Sequence, residues 1–197
     1  LSGNRSNPFL DAMFSYQPEF NYRTVSESGL PADSLQGIQL LVLSDLKNIS
    51  STLAATINGY VSAGGTVALF PAAQCDLESY NRLLNSLQAN SMTGFSEQQQ
   101  DLATINLQQN IFSDVFEKIP DNLQLPVAKQ YYTFSRGTTS REEPILALKD
   151  GSSFLSHYPS GKGSVYVAAV PLNKDFSELP VHAIFVPMIY KMALQAV

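Results

Sequence analysis

One cysteine and two histidines supply all the thiol and imidazole chemistry in these 197 residues. Cys75 follows an apolar run at 66–70 and precedes a helical pattern, the place where a nucleophile elbow would sit. That turn is strained and crowded, so it needs small residues two positions to either side. Here those positions are Ala73 and Leu77, and Leu77 is too bulky. Asp76, next in sequence, would raise the thiol pKa and weaken it as a nucleophile. Cys75 therefore reads as a partly buried small residue near a helix start.

His157 and His182 are the only bases that could pair with that thiol in a Cys–His–acid arrangement. Neither belongs to a His-x-Glu or His-x-x-x-His spacing, so both read as structural. The rival reading is a hydrolase or amidotransferase-like enzyme using Cys75 with one of them. Three unclustered Cys and His residues give zinc no ligand set, and neither a metal nor a cofactor is expected. Gly161-Lys162-Gly163 lacks the Walker pattern, with Ser156 where a glycine is needed and Gly163 where Ser or Thr is needed, so Lys162 reads as a turn residue. Glu142-Glu143 falls in a polar stretch and reads as solvated. The remaining candidate is the ligand edge at Ser44 and Asp45. They follow an apolar strand at 38–43 and so lie at the carboxyl end of the sheet, where open α/β folds bind small polar ligands.

The elements that would hold these residues are legible in the pattern. Asn7-Pro8 opens a first helix, with Leu10, Met13 and Phe14 on one face up to about Tyr16. Residues 20–25 alternate Phe20, Tyr22 and Thr24 against Asn21, Arg23 and Val25, which predicts a strand. Residues 38–43 and 66–70 are continuous apolar runs, as in strands buried on both faces. Between them Ser50 or Ser51 caps a helix with Leu53, Ile57 and Val61 inward, and Gly64-Gly65 ends it. The three together predict a βαβ unit. Asp76 caps a third helix carrying Leu77, Tyr80, Leu83, Leu84 and Leu87. Residues 90–109 are polar and hard to assign, with 102–107 a possible strand. Ile111, Phe112, Val115, Phe116 and Ile119 predict a short helix closed by Pro120, and 127–134 reads as extended. Asp150-Gly151 between 145–148 and 154–158 predicts a hairpin. A second turn at 160–163 feeds an apolar strand at 165–170, and residues 180–197 form a closing helix packed on the sheet, too interrupted to span a membrane.

Composition bounds the rest. With 44% hydrophobic residues and a net charge of -5, the chain is not disordered. Twelve Lys and Arg against 17 Asp and Glu make it a poor nucleic-acid binder. The length suits one domain, residues 1–197, burying roughly 70% of its unfolded surface. The first residues carry no signal-peptide pattern, so a piece of a longer polypeptide is expected. A lone cysteine is compatible with cytosol or periplasm.

Several segments, taken in order, carry a family resemblance. They are Asn-Pro-Phe-Leu-Asp-Ala at 7–12, Leu-Ser-Asp-Leu at 43–46, Gly-Tyr-Val-Ser-Ala-Gly-Gly-Thr-Val-Ala-Leu-Phe-Pro at 59–71, Asp-Leu-Glu-Ser-Tyr-Asn at 76–81, Ile-Phe-Ser-Asp-Val-Phe at 111–116, Gly-Lys-Gly-Ser-Val-Tyr-Val at 161–167 and Ala-Ile-Phe-Val-Pro-Met-Ile-Tyr at 183–190. The chain resembles the class I glutamine amidotransferase-like domain of bacterial BatA-type membrane proteins, which also carry a von Willebrand A-like domain. The resemblance implies an α/β, flavodoxin-like three-layer sandwich with a mostly parallel sheet and antiparallel hairpins in the C-terminal third. It implies a first strand at or just upstream of Leu1. Gly-x-Cys-x-Gly and His-x-Glu, which the amidotransferases carry, are both missing, so no catalytic residue is carried over. The expectation is a non-catalytic interaction domain of a membrane-anchored protein, on the periplasmic side of the inner membrane, meeting other protein domains or membrane-associated partners.

Overall fold

The computed structural model describes residues 1–3, 6–26, 35–112, 124–135 and 140–194. Helix α1 spans Pro8–Phe14, and the Asn7 side chain accepts from the amides of Phe9 and Leu10 as its cap. Strand β1 (Leu40–Ser44), helix α2 (Ser51–Ser62) and strand β2 (Thr66–Phe70) follow, with the Ser50 hydroxyl accepting from Leu53 N–H. Gly64 leaves α2 at φ 112, a value that only glycine takes without strain. Helix α3 (Leu77–Ser86) is capped by Asp76, whose carboxylate accepts from Ser79 N–H. Then come β3 (Met92–Ser96), β4 (Gln100–Ile105), a 3-10 turn at Asn110–Phe112, β5 (Val127–Ala128) and β6 (Tyr131–Phe134). The chain closes with β7 (Glu143–Leu148), β8 (Ser153–Ser160), β9 (Gly163–Ala168), a 3-10 turn at Leu179–Val181 and α4 (Phe185–Leu194).

Seven strands form one sheet in the order β1-β2-β9-β8-β7-β4-β5, and β3 pairs with β6 separately. This corrects the expected flavodoxin-like sandwich. Among the described strands of this sheet, the β1–β2 and β2–β9 pairings are parallel, whereas β9–β8, β8–β7, β7–β4 and β4–β5 are antiparallel. The reason lies in the turns. Gly151 at φ 80 and Gly161 at φ 59 close tight hairpins, and a tight hairpin can only reverse the chain. These hairpins join the main sheet beside β2, so the antiparallel pairings outnumber the parallel ones. The fold is a mixed α/β arrangement with a mostly antiparallel sheet.

Two cores follow from strand alternation. Val67 and Leu69 of β2, with Val165 and Val167 of β9, pack under α2 and α3 alongside Leu53, Ile57, Leu83 and Leu84. Ala68 and Phe70, with Tyr166 and Ala168, face the other way onto α1 and α4, meeting Leu10, Phe14, Met188, Ile189 and Met192. Residues 20–25 do not form a strand. Phe20 and Tyr22 pack instead on Phe14, stacked or edge-on at 5.5 and 5.0 Å between ring centroids. Of the short helix expected at 111–120, the described part is the 3-10 turn; Val115, Phe116, Ile119 and Pro120 lie outside the described residues.

Candidate functional site

Three places gather polar chemistry, and they do not coincide. The first is the carboxyl end of β1 and β2. Ser44 is buried and its backbone is engaged: its N–H donates to Leu1 C=O at 3.0 Å, and its own C=O accepts from Gly3 N–H at 3.3 Å. Asp45 is exposed and sits at φ 55, in the left-handed region where Asp is tolerated better than most residues. Cys75 lies across this edge on the α2/α3 face. Its amide donates to the Tyr132 hydroxyl at 3.2 Å, and that hydroxyl donates to Ala72 C=O at 2.9 Å. Burial pushes the Cys75 thiol up from its ordinary value, and the charge of Asp76 adds to this.

The second place is His157 on β8. Its Nδ1 pairs with Glu143 Oε2 at 2.9 Å, its ring lies against Tyr166 at 4.9 Å, and its Nε2 is buried without a hydrogen-bond partner. Tyr166 belongs to the α1/α4 core, so this imidazole lies on the opposite face of the sheet from Cys75. His182 is occupied elsewhere: its Nε2 meets Gln124 C=O at 2.7 Å, and its Nδ1 accepts from Ile184 N–H at 3.3 Å. The structure therefore brings neither histidine to the thiol, and no carboxylate–imidazole–sulfur relay is assembled.

The third place was missed by the sequence reading. Glu142 and Glu143, expected in a solvated loop, sit at and just before the start of β7 and point to opposite faces. Glu142 accepts from the hydroxyls of Ser153 and Ser156, the latter at 2.7 Å, and from Asn90 Nδ2 at 2.8 Å. Ser140 donates to Asn90 Oδ1 at 2.5 Å, so the acid ties the end of α3 to the β7–β8 hairpin. The available signal was period two: extending the strand pattern of 145–148 backward assigns alternate faces to the two acids. Nothing in the sequence pairs Glu142 with serines 11 and 14 residues away.

Beside β1 runs a cleft of about 470 Å³, lined by Leu40 and Val42 on one side, residues 21–25 on the other, and Leu10 and Phe14 beneath. Its end is lined by Leu1, whose backbone nitrogen donates to Val42 C=O at 2.6 Å.

No family model and no curated protein sequence matches the chain. Solved structures do. A cytoplasmic protein from Salmonella typhimurium LT2 superposes with a TM-score of 0.70 at 13% identity, covering 95% of this chain and 86% of that one. A second cytoplasmic protein from Salmonella typhimurium gives 0.66 at 11% identity over 84% and 74%. A β-galactosidase from Rahnella sp. R3 gives 0.58 at 16% identity; the match covers 84% of this chain but only 24% of the enzyme. At these identities the likeness is one of fold. Among the described residues no group of three or more His, Cys, Asp or Glu is placed to hold a metal ion, and no helix is long and apolar enough to cross a membrane.

Proposed function

We propose that this chain is a non-catalytic interaction domain that presents an apolar helix face to other protein domains. The observation that carries the reading is the outer face of α4. Its inner face is buried through Phe185, Met188, Ile189 and Met192. A second apolar stripe, Val186, Tyr190 and Leu194, repeats every four residues on the outside. Val186 and Leu194 are 44% and 43% exposed, and Val181, just before the helix, is 63% exposed. Tyr190 continues the stripe inward by meeting Phe20 edge-on at 5.3 Å. A helix apolar on both sides belongs in a core or against a partner.

The non-catalytic part is supported by the thiol's surroundings, with both imidazoles engaged away from Cys75 and its pKa raised by burial. Attachment to a BatA-like, membrane-anchored protein on the periplasmic side rests on the sequence resemblance alone. The test is a double substitution, Val186→Glu with Leu194→Glu. Both side chains are already partly in water, so the melting temperature should stay within about 2 °C of the parent. In native extracts the parent should elute in an assembly larger than its own 21.5 kDa, and the variant should elute alone. Unchanged elution of a folded variant would refute the proposal.

A further inference from the structure

We draw no further inference here: the strongest candidate, the side-chain cluster of Glu143, His157 and Tyr166 that runs in register across β7, β8 and β9 and leaves His157 Nε2 buried without a hydrogen-bond partner among the described residues, carries nothing because nothing in the structure shows what would meet that nitrogen.

Discussion

Gly163→Ala is expected to lower the melting temperature by about 10 °C, from a loss of about 3 kcal/mol. A Cβ at this position would stand 2.2 Å from Gly65 C=O and 2.4 Å from Val61 C=O. Both obstacles are backbone, one in the last turn of α2 and the other at the entry to β2, so neither can rotate away. Gly65 C=O is further fixed by accepting from Ser164 N–H at 3.2 Å. Relief would require α2 to lift from the sheet, disturbing Ile57 and Val61, both fully buried. Gly94→Ala is the control, since its Cβ would meet only the Thr133 hydroxyl at an ordinary 3.5 Å. Thermal unfolding followed by circular dichroism compares the two. Equal melting temperatures for both variants would show that the β9–α2 approach is looser than described.

Glu142→Ala should be nearly as damaging, at about 3 kcal/mol. The carboxylate holds three donors that come from separate parts of the chain: Asn90 after α3, and Ser153 and Ser156 on β8. Ser156 is 1% exposed and Asn90 3%, so water cannot replace the lost acceptor without opening the sheet edge. Glu142→Gln keeps the shape but turns an NH₂ toward donors, so it should recover only part of the loss, leaving about 1–2 kcal/mol. Urea midpoints give the order parent, Gln, Ala. A Gln variant as weak as the Ala variant would mean that the charge, and not the number of acceptors, holds the site together.

Local structure was written plainly in the sequence. Asn7, Ser50 and Asp76 each cap the helix they announce, 66–70 is β2 to the residue, and Asp150-Gly151 makes the expected hairpin. What failed was assembly. Apolar continuity says that a strand is buried, not whether its neighbour runs with it; the mostly parallel sheet, with antiparallel hairpins only in the C-terminal third, was implied by the family resemblance, and the strand pairings overturn it. The alternation at 20–25 was real, but its aromatics serve ring packing on Phe14 and Tyr190 rather than a ladder. Strand β3, Met-Thr-Gly-Phe-Ser, is too polar to stand out, and it exists because β6 pairs with it. The thiol was read correctly as partly buried; that His157 lies on the far face of the sheet could be known only from the strand order.

The stripe on α4 is where the functional account is most exposed. A photo-activatable benzophenone side chain placed at position 186 or 194, and for comparison at the exposed Thr52 on α2, reports what touches each face in the native cell. The account predicts one discrete cross-linked product from positions 186 and 194 and none from position 52. Cross-linking that is absent from all three positions, or equal and diffuse from all three, would contradict an α4-borne interface.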